Sequence, residues 1–383
     1  MQQTHDIILI GAGCSSMQWL DVYHHKNPDS QHRVLMIDKD ANPPERTWCF
    51  WSDREHYYDS LVSHRWSRVK FASPQGEVVQ DISDFTYQYI SGREFFKSAY
   101  RRIHADGRID RITAEVSNTQ EAGGLTQVET DQGIFAAPEV YSSVPDANKV
   151  SNYKKQQGGA GMWQHFRGWF IDTGEDIFDP ETITLMDFRT EQKNGAVFFY
   201  VLPFSRRKAL VECTVFGPEI WDDEQYDEKL REYTERYIAA EVNITSSEKG
   251  QIPMSMMDFD GLRYDGTRSI GTAAGIVKPS TGYMFLRSLR AVECMVGGKA
   301  RPETPPRFAF YDRLLLGIIR DEPQQISRIM HSLFSRNDFT HVFRFLDEQT
   351  SLQEDVKMLS TLPYTPFLKQ LTKQTLSSKN RVK

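Results

Sequence analysis

A chain of 383 residues, 39% apolar and 26% charged, has the composition of a folded protein and is longer than one hydrophobic core usually serves, so two or three domains are expected. The formal charge of -6 comes with both signs interleaved and no long basic run, which argues against nucleic acid as a partner, and no stretch reaches the ~18 apolar residues of a membrane span. Cys14, Cys49, Cys213 and Cys294 form no C-x-x-C pair, so neither a metal site nor a disulfide framework is expected.

"DIILIGAGCSSMQWLDVYHH" opens with a strand at 6–10, a tight glycine turn and a helix over about 14–25. "HRVLMID" follows as a second strand ending at Asp38, which completes a βαβ unit. The chain enters this strand without a charged-then-apolar leader, and residence in the cytosol is the default expectation. Residues 41–56 form a Pro-started loop dense in aromatics. Residues 66–90 alternate as short antiparallel strands, and 92–103 has helical spacing. Residues 108–145 read as further hairpins, with Gly123–Gly124 as a turn and "EVYSSVP" as a returning strand. The polar, Gly-rich stretch 152–161 reads as a linker. Strand-like runs fill 163–216, a charged amphipathic helix 223–241, and a second Gly-rich turn 268–283. After Pro302–Pro306 the chain reads as helical to about 372, followed by a basic tail.

The first turn, Gly11-Ala12-Gly13, lets the backbone approach a diphosphate, which the following helix N-terminus favours electrostatically. Asp38 is placed to accept hydrogen bonds from a ribose hydroxyl. The third glycine of the usual fingerprint is Ser16 here, which bears on helix–strand packing more than on the diphosphate. One N-terminal fingerprint with a second glycine turn near Gly271 favours FAD over NAD. Arg93, at the head of a helix, matches phosphate oxygens with its fork, or is simply a solvated arginine.

The strand 209–216, in "VLPFSRRKALVECTVFG", carries one acid in an apolar run. Alternation puts Val211, Cys213 and Val215 on one face, and Glu212 with Leu210, Thr214 and Phe216 on the other. Glu212 either faces water on a half-exposed strand, or is a proton donor whose pKa is raised by an apolar cavity.

The sequence resembles the flavin-dependent lycopene cyclases of bacteria and plants. The resemblance spans nearly the whole chain and rests on "GAG…MID", "RTWCFW" at 46–51, "LMDFR" at 185–189, "LPFS…LVECT" at 202–214, "IPM" at 252–254, "AAGIVKPSTGY" at 273–283 and "FYDRLLL". It implies an α/β fold: a Rossmann-like FAD-binding domain, of the kind seen in aromatic hydroxylases, with a β-sheet substrate domain and C-terminal helices. The expected division is 1–65, 88–150 and 265–300 for FAD, 66–87 and 151–264 for substrate, and 301–383 for the helices. The implied reaction is acid-catalysed cyclisation of the ends of lycopene to β-ionone rings, giving β-carotene. FAD would act reduced but without net redox change, with NAD(P)H as electron source. Glu212 matches the family acid; the second Glu of that pattern is Cys213 here.

The cofactor-binding set expected from the turns and the resemblance is Gly11, Ala12, Gly13, Asp38, Lys39, Arg46, Arg93, Gly271, Ala274, Gly275, Ser280, Thr281, Gly282 and Tyr283. Trp48, Trp51 and Tyr283 would stabilise cations or simply pack, and Phe50 belongs to the same aromatic loop. Asp187 would orient a partner or pair with Arg189; His165 would take the final proton or be a core histidine. The substrate lives in membranes, so peripheral association with the inner face is expected, through apolar residues around 311–319 if that helix is not buried. Gly271-Thr272 stands where flavin hydroxylases usually have Gly-Asp. Alternatives are a hydroxylase or dehydrogenase on the same fold, or a non-catalytic carotenoid or flavin binder.

Overall fold

Ile7–Ile10 is four consecutive apolar residues, all buried, as a strand covered on both faces requires. In the computed structural model, which describes residues 3–41, 46–82, 84–156, 162–193, 195–257, 259–300 and 304–381, this strand is the centre of a five-stranded parallel sheet. The order is Arg268–Ser269, Glu139–Ser142, Ile7–Ile10, Val34–Asp38, Ile109–Thr113. Helix Cys14–Lys26 supplies the expected crossover. It packs on helix Phe285–Val296, where Ser15 and Ser288 hydroxyls meet at 2.7 Å. One expectation is corrected here. Ile109–Thr113 is no hairpin arm but the edge of the parallel sheet, because it pairs in register with Val34–Asp38, far away in sequence. The hairpin lies just beyond it, Val116–Ala122 with Leu125–Thr130, turning at Gly123 and Gly124, both at positive φ.

The strands of residues 162–254 join a second, seven-stranded sheet. Its order is Asn243–Met254, Met162–Asp172, Lys208–Gly217, Ala196–Pro203, Thr182–Asp187, Arg68–Ser73, Gly76–Asp81. Both faces are covered. Val211, Cys213 and Val215 join a core under helix Asp223–Tyr233, while Leu210 and Phe216 join a core shared with the C-terminal helices. That double coverage explains why Ala196–Pro203 is apolar throughout. Helix Asp223–Tyr233 starts at a capping box between Asp222 and Gln225 and is shorter than expected. A π-helical turn, Thr234–Ile238, follows it. Trp48–Ser52, Thr86–Ile90 and His64–Trp66 form a small antiparallel sheet.

Of the expected linker, residues to Gln156 belong to helix Ala147–Gln156, and 157–161 lie outside the described residues. The C-terminal region holds Pro306–Asp321, Gln324–Arg336, Phe339–Leu346, Leu352–Leu359 and Tyr364–Arg381, the last running past the expected end near 372. The first of these buries Leu314, Leu316, Ile318 and Ile319. The condition set for a membrane face at 311–319 therefore fails, since that segment is core. No helix among the described residues is long and apolar enough to cross a membrane.

Candidate active site

Glu212 sits in the middle of Lys208–Gly217, opposite Tyr200 on one neighbouring strand and Gly168 on the other. Gly168 is in turn opposite Glu248 on the edge strand Asn243–Met254. Residues directly opposed across antiparallel strands project to the same side, so Tyr200, Glu212, Gly168 and Glu248 form one row on one face. Gly168 contributes no side chain to that row. A Cβ there would lie 2.7 Å from Leu210 Cδ1 and 3.3 Å from Glu212 Cβ.

Glu212 is buried at 9% exposure, which rules out the water-facing alternative. Its Oε1 accepts a hydrogen bond from the Thr214 hydroxyl at 2.7 Å. Glu248 is half-buried, as befits an edge strand, and its Oε1 is fully enclosed. Its Oε2 accepts from the Thr47 hydroxyl, and its Oε1 has no partner among the described residues. Neither acid is ion-paired with Lys or Arg among the described residues. Burial first, and the Glu248 charge second, push Glu212 well above the usual carboxylate range. Burial pushes Glu248 up as well, against the Thr47 hydrogen bonds that favour its anion.

Glu212 lines a cavity between the large sheet, the aromatic loop and the second glycine turn. Trp48, Cys49, Tyr87, Phe166, Tyr200, Leu202, Leu210, Tyr283 and Phe285 make most of its wall, with Arg46, Thr47, Gln164, Thr281 and Gly282. Three tyrosines close one side: the Tyr283 hydroxyl is 3.3 Å from that of Tyr87 and also hydrogen-bonds Tyr200. The wall is therefore mostly apolar and aromatic, with a buried carboxyl set into it whose pKa burial raises.

The two glycine turns meet at the start of helix Cys14–Lys26. Gly11 has φ +85 and a Cβ there would overlap Ser143; Gly271 has φ +55 and a Cβ would overlap Ser15. Gly13 caps the helix without a side-chain hydrogen bond, and the space where its Cβ would stand is open. Asp38 ends its strand as expected and accepts from the Ala12 N–H, which holds the turn. Ser16 is fully buried, so serine satisfies the close helix packing. The chain at Arg46 runs directly over Gly92, bringing Arg46 and Arg93 into one corner, both exposed. On the cavity wall, Trp48 Nε1, Gln164 Oε1 and Thr281 Oγ1 are buried without a partner among the described residues. Open space at Gly13, a free helix N-terminus and unsatisfied donors and acceptors on an aromatic cavity fit a dinucleotide carrying a planar heterocycle.

Several predicted residues lie elsewhere. Lys39 is exposed beyond the strand end, and Ala274 and Gly275 sit behind the second turn, where a Cβ on Gly275 would press on Phe259. Ser280 donates to Asp312 at 2.6 Å, inside a buried cluster in which Lys278 binds Asp312 and Glu348 and Arg287 binds Glu348. Trp51 lies behind the cavity wall, stacked on Phe343 at 4.7 Å and edge-on to Tyr283. Phe50 stacks on Phe285. Asp187 is fully buried on Arg189 and the Tyr233 hydroxyl, a structural pair. His165 projects from the opposite face to hydrogen-bond Tyr226, and burial lowers it to about 4, so it is a neutral core histidine away from the cavity. The four cysteines are free thiols.

Glu248, Thr47 and Gly168 were not foreseen. One signal was available for Glu248: in "EKGQIPM" it alternates in phase with Ile252 and Met254, the inward residues of that strand.

A parallel dinucleotide-type sheet joined to a large, mostly antiparallel sheet under C-terminal helices is the fold of FAD-dependent hydroxylases, halogenases and reductases. A geranylgeranyl bacteriochlorophyll reductase-like protein from Thermoplasma acidophilum superposes with a TM-score of 0.57 at 13% identity, covering 97% of this chain and 100% of that one. The halogenase PltM in complex with FAD gives 0.52 at 10% identity, over 90% and 79%. Within this class the chain belongs to the lycopene cyclase family, whose model, "Lycopene cyclase protein", matches residues 6–372. Curated relatives include a lycopene beta-cyclase of Paracoccus sp. (strain N81106 / MBIC 01143), 25% identical over 334 residues, 83% of this chain and 78% of that protein. Another, from Pantoea ananas, is 24% identical over 298 residues, 74% and 72% of the two chains.

Proposed function

We propose that this protein is a lycopene β-cyclase, an isomerase that closes β-ionone rings at the ends of lycopene to give β-carotene. The observation that carries the reading is Glu212: a buried, unpaired carboxyl on the wall of an aromatic cavity. In its neutral form Glu212 gives its proton to a terminal alkene carbon. The tertiary cation so formed is attacked by the neighbouring double bond, a six-membered ring closes, and a C–H bond on the new ring breaks. The electron pair of that bond forms the ring alkene, and the proton returns to the Glu212 carboxylate. Trp48, Tyr87, Tyr200 and Tyr283 present π-systems to the cations, an effect worth ~0.5–2 kcal/mol per favourably placed ring. The apolar wall keeps out water that would trap either cation.

FAD fits the glycine turns. Gly11, Gly13, Asp38, Arg46 and Arg93 would hold its nucleotide part, and Thr281, Gly282 and Tyr283 its ring end. Bound and reduced, with NAD(P)H as electron source, it supplies negative charge that favours cations. The division into 1–65, 88–150 and 265–300 for FAD, 66–87 and 151–264 for substrate and 301–383 for helices belongs to the same proposal. Lycopene is taken from a bilayer, and we assign peripheral contact with its cytoplasmic face to helices Leu352–Leu359 and Tyr364–Arg381. There Leu352, Val356, Tyr364 and Leu368 are between 53% and 74% exposed.

Expression in cells that accumulate lycopene tests the reading by pigment analysis. Cyclic carotenoid is expected, without NAD(P)H consumption in proportion to product. Unchanged linear pigment in a culture containing flavin-loaded protein overturns it. Glu212→Gln should lower ring formation at least ~100-fold with flavin and polyene binding retained; wild-type turnover would remove Glu212 from the mechanism.

A further inference from the structure

A second buried acid beside the proton donor needs a reason. Glu248 lies across Gly168 from Glu212, so their backbones are two strand spacings, about 10 Å, apart; the residue between them has no side chain of its own, and Leu210 Cδ1 leans over it. Both carboxyl ends are buried on this face, Glu212 on the cavity wall and Glu248 behind it, close enough for the charge of Glu248 to bear on Glu212.

Most groups around the pair are neutral. Tyr200 comes from Ala196–Pro203, Thr214 from Lys208–Gly217, and Tyr87 and Tyr89 from Thr86–Ile90. Thr47 and Cys49 come from the aromatic loop, and Tyr283 from the glycine turn. Cys213 and Tyr226 lie behind the sheet. Arg46, next to Thr47, is exposed and pairs with neither acid. Lys249 projects to the other face, where it pairs with Asp223 at 2.5 Å. Glu248 is thus the charge that bears on Glu212, and neither acid is ion-paired with Lys or Arg among the described residues.

We propose that Glu212 and Glu248 act as a carboxyl dyad, in which Glu248, tethered by Thr47, ionises first and its charge keeps the donor proton on Glu212. This rests on Glu212 being the donor. Like charges in one buried site do not both ionise readily, so the pair loses its protons in two separated steps. Thr47 stabilises the Glu248 anion through both its hydroxyl and its backbone N–H, whereas Glu212 has only the Thr214 hydroxyl, and that difference decides the order. Once Glu212 has given its proton to the alkene, the Glu248 charge drives the Glu212 carboxylate to take back the ring proton. The proton count then closes without help from solvent. Glu248 is absent from the cavity wall, so it is a positioning residue that acts through Glu212.

The test uses reduced, flavin-loaded protein with lycopene in detergent micelles. Glu248→Gln should keep its flavin and move the upper limb of its pH–rate profile down by about one pH unit, so that kcat falls only about twofold at pH 7 and approaches a loss of about tenfold well above pH 8. Glu248→Asp, which keeps the charge, should keep the wild-type limb. A Glu248→Gln limb in the wild-type position overturns the dyad. Infrared titration of wild-type protein, with Glu212→Gln as the subtracted reference, gives a second readout that does not depend on that variant folding. Protonated-carboxyl absorption should disappear in two steps, with the Glu212 band lost second; loss in one step overturns the dyad. Failure of the donor reading looks different, since Glu212→Gln would then turn over like wild type.

Discussion

A carboxyl keeps its proton at neutral pH only where the surroundings penalise its anion. At Glu212 burial does most of this and the Glu248 charge adds to it, which raises it to about 8; Glu248 rises to about 7, chiefly through burial. In the unfolded chain both return to about 4.3. Between these limits the folded protein binds more protons than the unfolded one, so the pair's contribution to stability falls as pH rises. It is fully present below about pH 4 and is lost as pH climbs through the folded values. Calorimetry from about pH 4 to 9 on wild type and on the double variant Glu212→Gln, Glu248→Gln isolates the term, because the other groups cancel in the difference. The wild-type Tm should fall relative to the variant across that interval. A wild-type Tm that rises relative to the variant would mean that both acids are ionised in the fold.

The pocket for those acids is made by strand register, and Gly168 is where register and chemistry meet. Adding one methyl at Gly168 brings a Cβ to 2.7 Å from Leu210 Cδ1 and 3.3 Å from Glu212 Cβ. On its other side Glu212 meets Tyr200, which Tyr283 holds by a hydrogen bond. Gly168→Ala should therefore cost about 1–3 kcal/mol by overpacking, read from denaturant unfolding. Cyclisation should fall more than the lost stability explains, because the donor itself is displaced; a variant that unfolds earlier yet cyclises at the wild-type rate would uncouple register from catalysis. The same register shows what could be read from sequence. The βαβ unit and the strand bearing Glu212 are local patterns, a glycine turn between apolar runs and a period of two, and they were legible. Ile109–Thr113 was not, because its parallel partner is some 75 residues away. Glu248 was hidden for a related reason. "NITSSEKG" is polar, as an edge strand should be, and only pairing with Met162–Asp172 carries that one carboxyl into the interior. The helix at 311–319 shows the converse limit: its apolar pattern announces a buried face but does not say whether protein or lipid buries it.

Across the whole molecule the C-terminal helices connect the cavity to the outer surface. Lys278, fully enclosed, ties the second glycine turn to Asp312 on helix Pro306–Asp321 and to Glu348 at the corner after Phe339–Leu346. Two cations and two anions balance there. Burial alone would raise Glu348, but Lys278 and Arg287 outweigh it and hold its carboxyl below the usual range. Thr281 and Tyr283, within five residues of Lys278, line the cavity, so these helices brace its wall. The next two helices expose apolar side chains one turn apart, Leu352 with Val356 and Tyr364 with Leu368. Lys357, Lys369 and Lys373 are exposed on the same two helices, and apolar side chains beside positive charge suit an anionic bilayer surface. If each of the four loses about 1 kcal/mol of burial when changed to serine, the fourfold variant loses about 4 kcal/mol of membrane affinity, roughly a thousandfold in partitioning. Sedimentation with anionic vesicles should show wild type bound and the variant in the supernatant, and added salt should weaken what binding remains. Turnover of lycopene in detergent micelles should be unchanged, because the cavity is untouched, while turnover of lycopene in vesicles should fall with binding. A variant that sediments like wild type would move the membrane contact to another face of the protein.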